Sequence, residues 1–174
     1  MKAVEKVKYF SGIIISPELR LQTVIAELER AIGPLDFVSE KLDFDYTGYY
    51  SEEMGEGLQR VFVSFSEPDD PAILADMKIK SAAVENLFSE RGSRKVNLDP
   101  GYIEPSKVVL ASTKNFYHRI YLKNGIYAEI TLSWKERRYR FFEWTFPDFR
   151  SEEYMKILKG IRKTYMEQRK AGLT

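Results

Sequence analysis

Two stretches with helical periodicity each lie between stretches with the alternating pattern of β-strands, and this order constrains the fold more than any other feature of the sequence. The first helix is predicted to follow a strand at 7–15 and to begin at Ser16-Pro17-Glu18, where serine can cap a helix and proline suits its first position. Gly33-Pro34 predicts its end. The second helix is predicted to begin at Asp69-Asp70-Pro71 and to end at Arg91-Gly92, with an inward face of Ile73, Met77, Val84, Leu87 and Phe88.

The other stretches of the first 103 residues are predicted to be strands at 35–44, 58–65 and 95–103, with a tyrosine-rich acidic loop at 45–57. The resulting order is β-α-β-β-α-β. This order matches the ferredoxin-like split βαβ unit, in which helices pack on one face of an antiparallel sheet. We therefore predict an α+β fold with a ferredoxin-like core.

The C-terminal part is predicted to extend this core by a β-meander and a C-terminal helix. Residues 105–112 form either a short helix or an extended segment, and Asn124-Gly125, the preferred pair for a type I′ turn, predicts a hairpin. A strand at 139–144 precedes the last helix, which begins at Ser151 and has the apolar face Tyr154, Leu158, Ile161 and Tyr165. Because the sequence contains no flexible linker or internal repeat, we expect residues 1–174 to form a single domain.

The charges are distributed unevenly, although the formal net charge is only +1. Residues 1–90 carry 9 basic and 17 acidic side chains, whereas residues 91–174 carry 18 basic and 9 acidic ones. We expect the acidic and basic regions to face each other, either around a cleft within one domain or between the subunits of a homo-oligomer.

The composition excludes several classes of protein and of site. The chain has no cysteine, which excludes a disulfide scaffold and Cys-ligated zinc or iron–sulfur sites. The apolar run Phe10–Ile15 is too short for a signal peptide or a membrane span, so we expect a cytoplasmic protein with no membrane partner. Asn and Gln together number seven while 30% of residues are charged, a bias compatible with a thermophilic source.

His118 is the only histidine, so acid–base chemistry by an imidazole would depend on it. A two-residue turn at Asn124-Gly125 would pair Ile120 with Glu129 and would place His118 diagonally to this carboxylate. The two side chains could act as a catalytic acid–base pair, and a structural hydrogen bond within the sheet is the simpler alternative. The same alternation predicts that Arg119 lies on the opposite face of the sheet from His118.

Two acidic residues alternate along a predicted strand and are candidates for a metal site. Asp43 and Asp45 would point to the same face, and they could bind a divalent cation such as Mg²⁺ if Glu53 or Asp99 joined them. A solvated pair of carboxylates is the simpler alternative. No standard cofactor motif is present, so no other cofactor is indicated.

The run Asn97–Gly101 is predicted foremost to be a turn, with Asp99 hydrogen-bonding to its own backbone and Gly101 at positive φ. Its amides could also bind an anion. Asn97 and Asp99 are therefore candidate ligand-binding residues beside Lys107, Lys114 and Arg119.

Basic and aromatic residues are interleaved in the second half of the chain, notably in the cluster Lys135, Arg137, Arg138 and Arg140. Such a sheet face could stack nucleic-acid bases while its cations neutralise phosphates. The sequence has no RNP-like aromatic motif, and its pI of about 7.8 is low for a nucleic-acid domain. RNA binding is therefore an alternative and not the favoured function.

Five segments of the chain resemble a prokaryotic family catalogued as domain of unknown function 4416, namely Asp43–Thr47, Asn97–Tyr102, His118–Leu122, Gly125–Glu129 and Trp144–Asp148. The resemblance extends over nearly the whole chain and is most specific from Asn97 to Leu132. It implies a stand-alone cytoplasmic protein. It implies no activity, cofactor or catalytic residue.

The favoured function is binding of a small anionic or phosphorylated ligand. Lys107, Lys114 and Arg119 are the predicted anion contacts, and His118 with Glu129 would supply any acid–base chemistry. An oligomeric interaction module is a further alternative, because the charge distribution also suits contacts between subunits.

Overall fold

Within residues 4–174, which the computed structural model describes, nine strands form one sheet. The strands are β1 (Lys8–Ile15), β2 (Leu35–Val38), β3 (Leu42–Asp43), β4 (Gln59–Phe65), β5 (Val96–Ile103), β6 (Lys107–Ser112), β7 (Arg119–Lys123), β8 (Ile126–Lys135) and β9 (Arg138–Phe141). The helices are α1 (Leu21–Ala31), α2 (Ser51–Met54), α3 (Leu74–Leu87) and α4 (Glu152–Lys170).

The sheet has the strand order β2-β4-β1-β5-β6-β8-β7, with β3 paired to β4 and β9 paired to β8. Every one of these pairings is antiparallel. The predicted α+β class is therefore confirmed. No helix among residues 4–174 is both long enough and apolar enough to cross a membrane.

Helices cover both faces of the sheet. On one face α1 and α3 pack over Tyr9, Ile13 and Ile15 of β1, and on the other α4 packs over Phe10. All eight residues of β1 are buried because the strand is central and covered on both sides. The apolar face predicted for the last helix is confirmed, since Tyr154, Leu158, Ile161 and Tyr165 are all buried.

Several predicted boundaries are wrong in detail. Helix α1 begins at Leu21 and not at Ser16. The buried Ser16 instead extends the pairing of β1 with β5, because its backbone N–H donates to the Lys95 carbonyl oxygen. The predicted strand at 35–44 is two short strands, and α2 interrupts the predicted loop at 45–57. Leu87 is 64% exposed because α3 ends there, so it does not belong to the predicted inward face.

The predicted turn at Asn97–Gly101 is wrong, because these residues lie in the middle of β5. Asp99 pairs with Gly12 and Gly101 pairs with Phe10 of β1. Gly101 does not have the predicted positive φ; it is needed for close packing, since an added Cβ would lie 2.5 Å from the Val109 carbonyl oxygen.

The sheet opens between β5 and β6. Only Gly101–Ile103 of β5 pair with β6, through its residues Val108–Leu110. Beyond that point β6 continues along β8 and leaves residues 96–100 of β5 unpaired on this side. Pro100, which has no N–H to donate, fits in this open part of the strand. The opening leaves space for a cavity.

Candidate functional site

A cavity of about 760 Å³ lies where β5 and β6 separate. Its lining comes from both strands, from α3, and from the loops that carry residues 44–50, 113–116 and 146–149. The volume falls within the range of small-molecule sites in proteins. A second depression, of about 380 Å³ beside the end of α4, is lined by five residues of which none is buried, so we assign the candidate site to the larger cavity.

A buried arginine stands at the centre of one wall. Arg60, on β4, donates through Nη1 to Asp99 Oδ2 and through Nη2 to Asp148 Oδ2, both at 3.1 Å. Its guanidinium carbon lies 5.1 Å from the centre of the Phe44 ring. Burial alone would lower the arginine pKa, but the carboxylates of Asp99 and Asp148 raise it overall. Arg60 is thus held as a cation inside the fold.

The wall continues from Asp99 as a row of alternating charges. Lys78 Nζ lies 3.9 Å from Asp99 Oδ1 and 4.0 Å from Glu85 Oε1. Arg94 Nη1 lies 3.5 Å from Glu85 Oε2, and Arg94 also binds both carboxylate oxygens of Glu53 at 2.8 Å. With Arg60 and Asp148 the row contains four acids and three bases. We call it the acidic wall.

The acids of this wall differ in protonation behaviour. Burial raises the pKa of Asp99, but Lys78 and Arg60 outweigh this effect, so its pKa is lowered. Burial raises the pKa of Glu85 and Asp148 by more than the neighbouring cations lower it. Glu85 and Asp148 are therefore protonated more readily than an exposed carboxyl.

The opposite wall carries the cations Lys114 and Arg119, and we call it the basic wall. Arg119 donates through Nε to Glu129 Oε2 at 2.8 Å and through Nη1 to Ser112 Oγ at 2.8 Å. Lys114 Nζ lies 3.3 Å from the Tyr49 hydroxyl and 4.4 Å from the centre of the Tyr49 ring. Lys114 therefore connects two loops across the cavity.

Membership of a family follows from comparison with known proteins. Residues 5–165 match the model of the family described as Domain of unknown function (DUF4416). The chain belongs to this family. Both walls of the cavity lie within the matched part of this DUF4416 chain. No curated protein and no solved structure matches it.

The predicted contact between His118 and Glu129 is present, with 3.0 Å between His118 Nε2 and Glu129 Oε2. The predicted register is wrong by one residue, because a bulge between Tyr121 and Lys123 pairs Arg119 with Glu129. Arg119 therefore lies on the same side as Glu129, and its predicted separation from the pair is wrong. Both His118 and Arg119 bind one carboxylate.

His118 lies behind this carboxylate and does not line the cavity. Its ring is stacked between Trp144, at 5.0 Å between ring centres, and Phe116, at 5.8 Å. The side chain is 9% exposed. Glu129 also accepts a hydrogen bond from the Thr131 hydroxyl at 3.2 Å. Glu129 therefore lines the basic wall, and His118 contacts the Glu129 carboxylate from outside the cavity.

The cavity brings together four of the five predicted ligand-binding residues. Asn97, Asp99, Lys114 and Arg119 all line it, and Asn97 Oδ1 accepts a hydrogen bond from Arg94 at 2.8 Å. Lys107 does not line it. This lysine begins β6, at the end of the strand away from Ser112, and forms an ion pair with Glu104 at 2.6 Å.

The predicted metal site does not assemble. Asp43 and Asp45 are exposed, and neither of the acids expected to join them does so, because Glu53 binds Arg94 and Asp99 binds Arg60. Among residues 4–174, no group of three or more His, Asp or Glu side chains is arranged to hold a metal ion.

Apart from Asp99, the sequence-based predictions missed the buried charges of the acidic wall. Arg60 had a recognisable signal, since it is a single charge within the apolar strand Gln59–Phe65. Glu85 follows Val84 on the buried side of α3, where an acid is unexpected. Asp148 had no local signal, since its Phe-Pro-Asp context is typical of a turn.

Ion pairs join the acidic and basic halves within the chain, which is one of the two arrangements expected from the charge distribution. Arg94 binds Glu53, Lys123 Nζ lies 2.7 Å from Asp76, and Lys95 Nζ lies 2.8 Å from Glu18. In each pair the acid belongs to residues 1–90 and the base to residues 91–174. One of these pairs, Arg94 with Glu53, belongs to the acidic wall.

Proposed function

We propose that the cavity binds a small anionic ligand, such as a phosphorylated molecule, at its basic wall. The observation that carries the proposal is the position of Lys114. Its ammonium lines the cavity, and within residues 4–174 it has no carboxylate partner within 4.0 Å. The other lining cations, namely Arg60, Lys78, Arg94 and Arg119, each contact a carboxylate.

Arg119 supports the same location for the anion. Glu129 holds it through Nε, and Ser112 and the Lys114 carbonyl oxygen hold it through Nη1. A guanidinium oriented in this way is pre-organised for an anion, because little side-chain entropy is lost when the ligand binds. At the acidic wall the three lining acids Glu85, Asp99 and Asp148 pair with Arg60, Lys78 and Arg94, so these cations are less available to an anion than Lys114.

His118 and Glu129 act in this proposal as positioning residues. Glu129 orients Arg119, and His118 contributes a second contact to the same carboxylate. Acid–base chemistry through the pair would require the carboxylate to leave Arg119. The geometry therefore favours binding as the role of this pair.

The proposal is tested by thermal unfolding with sodium phosphate and pyrophosphate at low ionic strength. A ligand at 100 times its Kd stabilises the fold by about 2.7 kcal/mol. For a chain of this size we expect a rise in Tm of roughly 5–10 °C. Lys114→Gln is expected to remove most of this rise, and Lys107→Gln, at the start of β6 and outside the cavity, is expected to keep it. Equal effects of the two variants would contradict the proposal.

We also propose that β1, β2, β4 and β5, with α1 and α3, form a ferredoxin-like unit. The order β2-β4-β1-β5, the antiparallel pairings and the common face of the two helices support this assignment. A fold comparison made with a crystal structure of the chain tests it. The cytoplasmic location and thermophilic source remain predictions.

RNA binding is a second candidate because exposed rings and cations share one edge of the sheet. β7 and β9 pair with the same edge of β8, opposite β6. Tyr121 and Phe141 are exposed there, and Phe141 shares β9 with Arg138 and Arg140. This candidate requires affinity for single-stranded RNA that falls steeply with salt. Undetectable binding in fluorescence anisotropy at low salt would exclude it.

A further inference from the structure

Three exposed aromatic rings surround the cavity, and each comes from a different loop. Tyr49 lies between β3 and β4, Phe116 between β6 and β7, and Phe146 between β9 and α4. Their exposed fractions are 60%, 53% and 53%. Large rings that line a concave site while exposed to solvent indicate a ligand with an apolar face.

The cations of the basic wall lie beside two of these rings. Lys114 Nζ is 4.4 Å from the centre of the Tyr49 ring, and the Arg119 guanidinium carbon is 4.9 Å from the centre of the Phe116 ring. A ligand that contacts these rings therefore has its anionic group within reach of both cations. The arrangement suits a planar ring joined to an anion by a short spacer.

Polar groups complete the lining at the acidic wall. There Asp99 and Asn97 on β5 offer a carboxylate and an amide group, and Ser112 offers a hydroxyl at the basic wall. Such groups match the donors and acceptors of a nucleobase edge or a ribose. A simple aromatic carboxylate has the ring and the anion but lacks the polar groups that could bind these side chains.

We propose that the ligand is a nucleoside phosphate, with its base against the rings and its phosphate at Lys114 and Arg119. This inference rests on the proposed anion-binding function and narrows it to one class of ligand. Stacking on an aromatic ring contributes to affinity for every base. The rings therefore favour nucleotides as a class and do not discriminate among the bases.

Isothermal titration calorimetry of the full chain at low ionic strength tests the assignment. The probes are AMP, GMP, CMP and UMP, with adenosine, inorganic phosphate and benzoate for comparison. At least one nucleotide is expected to bind about tenfold or more tightly than phosphate, adenosine and benzoate, because only the nucleotide uses rings, cations and polar wall together.

Three variants test whether the base binds at the exposed rings of the cavity. Phe146→Ala is expected to weaken nucleotide binding by roughly fivefold or more and to leave phosphate binding unchanged, because it removes a ring but no charge. Tyr49→Phe keeps the ring and is expected to retain nucleotide binding. Tyr121→Ala removes an exposed ring outside the cavity and serves as the control.

The outcomes separate this inference from the function on which it rests. If phosphate binds in a Lys114-dependent way and no nucleotide binds more tightly, the nucleotide assignment is wrong and the anion site stands. Benzoate binding as tightly as the nucleotides, or a Phe146→Ala variant with full nucleotide affinity, also overturns the assignment. If neither phosphate nor pyrophosphate nor any nucleotide binds, both proposals are wrong.

Discussion

Arg60→Met is predicted to destabilise the fold strongly, because it removes the cation between Asp99 and Asp148. The arginine side chain is 3% exposed and donates to both carboxylates at 3.1 Å. Methionine has a similar apolar stem, so packing against Phe44 and Phe62 is largely kept. The loss therefore comes mainly from the two acids that remain.

Removing one partner of a buried ion pair costs about 3–5 kcal/mol. For a chain of this length this corresponds to a fall in Tm of roughly 6–20 °C. Asp99 keeps Lys78 at 3.9 Å, so Asp148 is the acid left with least compensation. Adding Asp148→Asn to the variant is therefore expected to recover part of the lost stability, because an amide replaces the uncompensated charge.

Urea unfolding followed by circular dichroism measures both variants at pH 7 and pH 5. Without Arg60 the pKa of each stranded carboxyl rises, so the folded state takes up protons more readily as the pH falls. The deficit of Arg60→Met should therefore be smaller at pH 5 than at pH 7. Arg30→Met, which disrupts an exposed ion pair, should have no measurable effect. A loss below about 1 kcal/mol at pH 7, or no recovery in the double variant, would refute the reasoning.

Three further predictions concern the pH dependence of stability, the packing of the sheet and the oligomeric state. The pKa of Glu85 is raised in the fold, so its ionised carboxylate lowers the stability of the folded chain. The free energy of unfolding of the natural chain, relative to that of Glu85→Gln, should therefore rise from pH 7 to pH 4 in urea unfolding. The pKa of Asp99 is lowered, so the stability of the natural chain relative to Asp99→Asn should stay level down to about pH 5 and should fall as the pH is lowered further. Equal slopes for the two variants would contradict the opposite shifts. Gly101→Ala should cost about 1–3 kcal/mol, because its Cβ would lie 2.5 Å from the Val109 carbonyl oxygen, whereas Gly160→Ala in the open interior of α4 should stabilise by about 0.5–1 kcal/mol, both measured by urea unfolding. Since the acidic and basic halves pair within the chain, light scattering should give the same molar mass at low and high salt, and a mass that falls with salt would indicate pairing between subunits instead.

The elements of the fold were largely predictable because they depend on local patterns. The Asn124-Gly125 turn has both residues at positive φ, as a type I′ turn requires, and the hairpin forms around it. Ser151 caps α4 by accepting a hydrogen bond from the backbone N–H of Tyr154. Hydrophobic periodicity and cap residues are local, so a single sequence contains enough information for them.

The errors arose where tertiary packing overrides local preference. Asn97–Gly101 contains the residues of a turn, but pairing with β1 holds the run extended. The bulge near Leu122 shifts the register of the hairpin by one residue, and no residue type in this segment predicts the bulge. This single shift decides that Arg119 binds Glu129.

The candidate site was predictable in its basic wall, and at the acidic wall only in Asn97 and Asp99. Arg119 and Glu129 come together by strand pairing, and Lys114 lies in the loop that leads into β7. Arg60, Glu85 and Asp148 come from β4, α3 and the loop before α4, and they meet only because the sheet opens between β5 and β6. Long-range contacts of this kind have no periodic signal in the sequence.

The central claim, that an anion binds at the basic wall, is tested most directly by a titration with pyrophosphate followed in ¹H–¹⁵N NMR spectra. We predict saturable shifts that are largest for the amides of Ser112, Thr113, Lys114 and Arg119, and that Lys114→Gln greatly weakens them. The Lys107 amide, at the far end of β6, should shift little. No saturable shift at the basic wall, or shifts confined to the basic turn at 135–140, would contradict the claim.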